Sequence, residues 1–455
     1  MHDGSGTGNP LKIFANIFIA FVGAGVLGLP YAFKEAGILE GFLIMSFVGF
    51  VSVKAMLLLL DCKVELGKRP DVMKKFKIVS LEPGGPEKET LLKDNHSDTQ
   101  ANGSSMNGDV QMMDSMESQS AQSEIDYGDI GYYAIGDIGK LIVDISIVVS
   151  QTGFACAYLI FISNNMESII PEITINNWVS GMMIPLILLC LLRQLHKLAI
   201  FSLFADFSNV LAYSVVFWFD FEHAQTVSER LHPKEYSLDG FPFFLGIAFY
   251  CYEGAGLICY LDSSVSPECR AKFRPMFKGV LFLVTALYML FGICGYLSFG
   301  DYTESIITLN LPQGPMPLIV KACLCFSLFF TYPVAMFPVI STIERRLKID
   351  PIKQYHFGNL IRLMMVLTTG IVVVAIPSFT TLMALVGATC CTLLAFILPG
   401  IFHLKIFGES ITLAGKVLDY VLIILGIIAT ILGTIDALQR LFPEEPNNSI
   451  LIQEG

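Results

Sequence analysis

Residues 19–33 read "IAFVGAGVLGLPYAF", an apolar stretch that contains four helix-breaking residues, Gly23, Gly25, Gly28 and Pro30. The glycines permit an unwound backbone, and the proline removes a hydrogen-bond donor. In a lipid bilayer unpaired backbone groups are costly, so unwound chain is tolerated only where it lines a cavity or is buried in protein. If this stretch spans a membrane, it predicts a binding site at the break.

The composition is that of an all-α polytopic membrane protein. Of 455 residues, 54% are hydrophobic and 15% charged, with a mean hydropathy of +0.63, whereas soluble proteins average about 25% charged residues. Apolar runs of about 20 residues can cross the bilayer as helices, and they predict eleven transmembrane helices. Their bounds are 11–33, 38–60, 139–164, 177–192, 198–219, 240–261, 277–299, 316–342, 358–376, 379–402 and 415–440.

The basic residues predict the orientation of these helices. The large majority of the 29 Lys and Arg residues fall on the side that holds the N-terminus, and such residues collect in cytosolic segments. We therefore expect residues 1–10 in the cytosol, spans within 11–60 and 139–440, and a tail at 441–455 in a lumen or outside the cell.

Residues 61–138 form one long polar segment on the predicted cytosolic side. From Lys77 to Asp126 it has no aromatic residue, so we expect it to be mostly disordered because it cannot bury enough apolar surface. Its "EKETLL" places Glu87 four residues before Leu91 and Leu92. This resembles an acidic dileucine sorting signal read by a sorting adaptor, and a chance match in an acidic tract is the alternative.

The sixth predicted span, 240–261, carries a second interruption, "FYCYEGAGL", which includes Glu253 and Gly254. Interrupted spans five apart are typical of two inverted five-helix repeats that bind substrate at their interface. The half-helix ends would present amides to a carboxylate and carbonyls to an ammonium, which suits a zwitterion such as an amino acid. Close packing of helices is the alternative use of these glycines.

Three stretches resemble a known family. "ANIFIAFVGAGVLGLPYAFKEAG", "GKLIVDISIVVSQTGFACAYLIFISNN" and "GIAFYCYEGAGL" resemble the first, third and sixth spans of the amino acid/auxin permeases, especially the proton-coupled and vacuolar neutral amino acid transporters. "FSLFADFSNVLAYSVVFWFD" adds to the vacuolar resemblance. The resemblance implies a LeuT-like fold of five plus five helices with one extra, and secondary active transport of small amino acids.

The two interruptions supply the candidate substrate site. Glycine backbone would contact the substrate, and aromatic residues beside the sixth-span break would cover it, with ordinary packing as the alternative for the aromatics. The predicted substrate-binding residues are Gly23, Ala24, Gly25, Val26, Gly28, Phe249, Tyr250, Tyr252 and Gly254.

Carboxyl groups within the spans are candidates for proton coupling, because a charge at the bilayer centre costs about 2.5 to 3.5 kcal/mol on insertion scales. Glu253 is either a coupling group or an N-cap for the second half of its span. Asp206 in the fifth span is the second candidate. Asp144 lies near the predicted cytosolic interface, where we expect it to be solvated.

Coupling to sodium is disfavoured because an expected oxygen ligand is absent from the first span. The resemblance implies an Asn four residues before the first glycine of the motif in sodium-coupled relatives, and this chain has Ile19 there. An apolar side chain cannot replace an oxygen ligand for a hard cation. Ser327 and Thr331 could still supply hydroxyl ligands.

Enzymatic function is not expected, since the sequence has no P-loop, no Ser/His/Asp arrangement and no metal-ligand spacing. We expect no cofactor and no metal. The leading hypothesis is a proton-coupled transporter of neutral amino acids in a vacuolar or lysosomal membrane, with the plasma membrane as alternative. The other hypotheses are an amino acid sensor that signals through residues 61–138 and an auxin or organic-acid permease of the same fold.

Overall fold

The computed structural model describes residues 7–69, 72, 125–192, 199–227, 233–266, 268–349 and 354–442, with the side chains of 199–207 and 223–227 left out. Among these residues the regular structure is helical. The helices are α1 Pro10–Phe21, α2 Leu29–Ala36, α3 Ile38–Leu66, α4 Tyr127–Ile135, α5 Asp137–Ile169, α6 Ile175–Leu191, α7 Ala199–Val227, α8 Phe241–Cys251, α9 Ala255–Ser263, α10 Arg270–Phe299, α11 Pro315–Arg346, α12 Tyr355–Ala375, α13 Phe379–Val386, α14 Leu398–Phe407 and α15 Leu413–Leu441. A 3-10 turn, Ala24–Gly28, joins α1 to α2, and two π-helical turns, Gly387–Cys391 and Leu393–Ile397, join α13 to α14.

The prediction of an all-α polytopic membrane protein is confirmed. Among the described residues, eight helical stretches are long and apolar enough to cross a membrane, and the bent pair Pro10–Phe21 and Ala24–Ala36 makes a ninth. Helices α6, with 17 residues, and α7, whose side chains are described in part, stand where the fourth and fifth spans are predicted. The count of eleven therefore stays a prediction.

Helices α1 to α3 show how local sequence sets the element boundaries. Asn9 caps α1 by accepting a hydrogen bond from the amide of Leu11 at 2.9 Å, and Pro10 takes the first helical position, where its missing N–H costs nothing. At the other end of this region, Gly37 joins α2 to α3 with φ at 93°, a conformation that glycine adopts without strain.

The long polar segment has helices at both ends. Helix α3 extends to Leu66, and α4 occupies Tyr127–Ile135 beside α5 and α14. Asp126 and Asp129 form a capping box that begins α4, and the Tyr127 hydroxyl donates to the Leu394 carbonyl at 2.6 Å. The sorting motif with Glu87, Leu91 and Leu92 lies outside the described residues and stays a prediction.

The expectation that Asp144 is solvated is wrong. Its side chain is 5% exposed and accepts from Arg345 at 3.3 Å and from Arg346 at 2.7 Å. The two arginines end α11, which packs along α5. The carboxylate is buried because cations from a distant segment accompany it, as buried charges require.

Two groups of helices are cross-tied at the end predicted to be cytosolic. In the first group, Lys63 of α3 pairs with Asp262 of α9 at 3.0 Å, and Asp61 of α3 pairs with Arg274 of α10 at 2.6 Å. Thr7, just before α1, forms backbone hydrogen bonds with residues 264 and 266 after α9. The second group, α5, α11 and α12, is joined by the Asp144 pairs and by Arg362 with Glu344 at 2.9 Å.

Candidate functional site

The first break separates α1 from α2. Helix α1 ends at Phe21, the chain passes through Val22 and Gly23, and the two halves of the span are bent by 46°. Gly23 is exposed, and a Cβ built on it would meet nothing within 4 Å. A Cβ on Gly25 would lie 3.0 Å from the Cys251 sulfur. The first break is therefore open at Gly23 and closely packed at Gly25.

The second break separates α8 from α9 at residues 252–254. A Cβ built on Gly254 would lie 2.3 Å from Cζ of Phe21, a distance that no real pair of atoms tolerates. The last residue of α1 thus packs directly against the glycine of the other break. The predicted meeting of the two interruptions is observed in the structure through this contact.

Glu253 lies in the second break and is 9% exposed. Its Oε1 accepts a hydrogen bond from the Gly256 amide at 3.3 Å, near the start of α9. Its Oε2 has no partner among the described residues. One oxygen therefore accepts from an amide in the first turn of α9, whose N-cap residue is Gly254, and the other is left for a proton or a ligand.

Two tyrosines that the sequence analysis did not single out hold the unwound backbone. The Tyr288 hydroxyl of α10 donates to the Phe21 carbonyl and also reaches the Cys251 carbonyl at 3.3 Å. The Tyr213 hydroxyl of α7 donates to the Gly23 carbonyl at 3.2 Å. A phenol has one hydrogen, so Tyr288 serves one carbonyl at a time and links the ends of α1 and α8. The sequence feature that could have identified both residues is a tyrosine within an apolar span.

A cavity of about 140 Å³ lies between the breaks. Of the predicted residues, six contribute to its lining: Gly23, Ala24, Gly25, Tyr250, Glu253 and Gly254. Helix α5 adds Gln151, Phe154 and Tyr158, and α10 adds Tyr288. The Phe154 and Tyr250 rings meet edge to face at 4.7 Å. An aromatic wall and the backbone of both breaks therefore enclose one small space.

Other predicted substrate residues lie beside the cavity lining. Val26 is buried, and a Cβ on Gly28 would lie 3.1 Å from the Met383 sulfur. The Phe249 ring packs on Phe396 at 4.7 Å. The Tyr252 hydroxyl donates to Thr285 Oγ1 at 2.7 Å. These predicted residues pack against α13, α10 and the π-helical region, outside the cavity lining.

The candidate cation ligands sit apart from the cavity lining. Ser327 donates to Oδ1 of Asn209 at 2.9 Å, and Thr331 donates to the Ser327 carbonyl at 2.8 Å. The Asp206 side chain lies outside the described residues. Within the described part of the chain, no group of three or more His, Cys, Asp or Glu side chains could hold a metal ion.

A multi-spanning helical protein with two broken helices around a small shared cavity has the architecture of a membrane transporter. The chain matches the transmembrane amino acid transporter proteins over residues 6–86 and 110–439, and it belongs to that family. The resemblance found in the sequence is thereby confirmed, as is the expectation that the chain is not an enzyme, since the family and the relatives are transporters.

Curated relatives agree over most of the chain. Amino acid transporter ANT1 of Arabidopsis thaliana is 31% identical over 446 residues, which is 93% of this chain and 91% of the relative. Amino acid transporter AVT3B of the same plant is 31% identical over 461 residues, 96% of each. A solved manganese transporter from Eremococcus coleocola superposes with a TM-score of 0.51 at 12% identity, covering 99% and 94% of the two chains, which shows similarity of fold alone.

Proposed function

We propose that this chain is a secondary active transporter that moves small neutral amino acids and couples their movement to protons by alternating access. Its fold would be LeuT-like, with two inverted five-helix repeats and an eleventh helix. The observation that carries this proposal is the cavity between the breaks, where unwound backbone and one carboxyl oxygen without a partner meet.

The cavity suits a zwitterion of limited size. The first amides of the 3-10 turn, those of Ala24 and Gly25, have no partner within a helix and can bind a carboxylate. The Cys251 carbonyl and the Glu253 carboxyl, which both line the cavity, can bind an ammonium group. A volume of about 140 Å³ is close to the ~150 Å³ of cavities that hold a benzene-sized molecule, which favours a small side chain.

The charge of the lining argues against an organic-acid permease. The described lining residues include no Lys, Arg or His, and they include Glu253. A substrate with a carboxylate and no ammonium would bring a second negative charge toward Glu253, which costs binding energy when both are ionised. An amino acid carries the compensating cation itself.

Alternating access is supported by the pattern of exposure. The exposed lining residues are Gly23 and Leu257, which stand beside α1 and within α9, the halves that lead to the predicted cytosolic side. The halves on the opposite side, α2 and α8, are covered by neighbouring elements: Arg440 pairs with Glu35 at 2.8 Å and its guanidinium stacks over Phe243. This arrangement favours a state open toward the cytosol, and the two cross-tied helix groups are the bodies that would move.

We further propose an acidic organelle, vacuolar or lysosomal, as the location, with the plasma membrane as the alternative. Glu87, Leu91 and Leu92 would bind the sorting adaptor on the cytosolic side. Alanine at both leucines should redirect the protein, and unchanged targeting of that variant would reduce the motif to a chance match.

The test of the proposed function is flux in reconstituted vesicles. Purified protein should accumulate a labelled small amino acid when a pH gradient is imposed, and should exchange it when the pH is equal on both sides. An amino acid sensor would bind the label without net flux. Competition by auxin, with none by amino acids, would identify an organic-acid permease instead.

A further inference from the structure

Asp220 is a carboxylic acid that the boundaries of the predicted fifth span left out. Helix α7 continues past residue 219 to Val227 and carries Asp220 about two turns before its end. The residue is 0% exposed, and neither carboxyl oxygen has a partner among the described residues. An ionised carboxylate without a partner is very costly in such a place, so a group of this kind takes up a proton instead.

Among the residues that the structure describes, no cation pairs with Asp220. The titratable group that α10 presents near it is the Cys294 thiol. Lys34 of α2 donates to the Thr303 carbonyl at 3.1 Å. The charged groups of α11, which packs along α7, are engaged elsewhere. Lys321 donates to Ser168, Glu344 pairs with Arg362, and Arg345 and Arg346 pair with Asp144.

The outer half of the first broken span covers this carboxyl. A Cβ built on Gly295 of α10 would lie 2.6 Å from Pro30 Cγ and 3.3 Å from Asp220 Oδ2. Pro30, Gly295 and the carboxyl group therefore meet at one point. The Arg440 pair with Glu35 holds α2 there, and the amide of Ile38, the first residue of α3, donates to the Lys234 carbonyl just beyond it. We expect a movement of α2 away from α10 to open the side of Asp220 that faces Pro30.

Asp220 also shares a helix face with Tyr213, which holds the backbone of the first break. Tyr213 precedes it by seven residues, two turns of α7, so both side chains point to the same side. The Tyr213 hydroxyl donates to the Gly23 carbonyl in the first break. One face of α7 thus reaches from the first break to the cover over Asp220.

We propose that Asp220 is a protonation site of the transport cycle, distinct from Glu253, that holds a proton while α2 is closed and exchanges it with the outer compartment when α2 opens. The carboxylate gains a proton from, or returns it to, water on that side, and no other bond changes. The inference rests on the proposed proton coupling and adds a site to it.

The experiment counts protons per amino acid in vesicles with a trapped pH indicator. Asp220→Asn keeps the shape of the side chain but cannot release a proton. We expect it to move one proton fewer per transported amino acid than wild type does. The matched control is Asp301→Asn, an exposed carboxyl at the same end of the molecule, which should keep the wild-type ratio.

Each outcome decides a different claim. An unchanged ratio in Asp220→Asn, beside a reduced ratio in Glu253→Gln, overturns the role of Asp220 and leaves the proposed function intact. Wild-type protein that moves amino acid without any protons overturns both. If Asp220→Asn does not fold, wild-type protein is treated with dicyclohexylcarbodiimide, which modifies protonated carboxyls in apolar surroundings. Peptide mass spectrometry should then find Asp220 modified, and its absence from the modified peptides overturns the inference.

Discussion

The breaks in the first and sixth spans differ in what they offer to the cavity. At Val22 and Gly23 the chain bends by 46° and presents backbone alone. The residues 252–254 interrupt a stretch, Phe241–Ser263, that continues as one 23-residue span, and they bring in Glu253. Backbone groups keep their charge state at every pH, whereas a carboxyl can gain or lose a proton. The first break is therefore suited to holding the substrate, and the second to linking that binding to protons.

Among the variants that test this comparison, Glu253→Gln should have the largest effect on transport. The Gln Oε1 can still accept from the Gly256 amide, so the hydrogen bond in the first turn of α9 is kept, but the side chain cannot release a proton. Gradient-driven accumulation should fall to no more than the proton on Asp220 alone can drive, while exchange at equal pH survives because it needs only the loaded carrier to reorient.

Asp206→Asn is the comparison variant for that experiment. Selective loss of accumulation in Asp206→Asn, with wild-type behaviour of Glu253→Gln, would assign the coupling proton to the fifth span. Wild-type behaviour or failure of Glu253→Gln in both assays would leave Glu253 with the capping role alone.

Gly25→Leu should abolish transport with little change in the amount of folded protein. A Cβ there already lies 3.0 Å from the Cys251 sulfur and 3.2 Å from Cδ1 of Tyr250, so the longer side chain must displace the wall of the cavity. Expression and monodispersity are followed by size-exclusion chromatography, and uptake is measured in vesicles.

Gly23→Ala is the control for Gly25→Leu, because a Cβ at Gly23 meets nothing within 4 Å. It should retain most of the uptake. Equal losses in the two variants would show that any side chain in the first break is harmful, and wild-type uptake in Gly25→Leu would remove the first break from the substrate site.

Tyr288→Phe should have a smaller effect on transport, because it weakens a hydrogen bond at each of the two breaks without changing the cavity lining otherwise. It leaves the carbonyls of Phe21 and Cys251 without this donor, and a buried group that loses its partner costs about 1–3 kcal/mol. Tyr213→Phe removes a donor from the Gly23 carbonyl alone. We expect thermal stability and substrate affinity to decrease in both variants, more in Tyr288→Phe. A larger loss in Tyr213→Phe would mean that the two breaks are not linked through α10.

The sequence predicts features whose signal is local. Glycine, proline and a carboxyl in apolar surroundings are visible at Gly23, Pro30 and Glu253, and the helices follow from apolar runs. Contacts between distant segments have no such signal. Asp144 looked solvated because its partners, Arg345 and Arg346, lie about 200 residues away in sequence.

The boundaries of elements were a second source of error. The apolar run that predicts the fifth span ends at residue 219, one residue before Asp220, whereas α7 continues to Val227. Helix α4 was assigned to a polar segment because it is short, and its burial depends on packing against α5 and α14. Tertiary contacts decided both cases, and local composition does not record them.

The contact between Phe21 and Gly254 makes the two positions genetically dependent on each other. A methyl group at Gly254 would collide with the Phe21 ring at 2.3 Å, so Gly254→Ala should inactivate the transporter in a growth selection that requires uptake. Revertants of that allele should recover by second-site changes that shrink residue 21, such as Phe21→Leu, more often than by changes elsewhere in the chain. Positions 21 and 254, which lie more than 200 residues apart in the sequence, should therefore change together rather than independently.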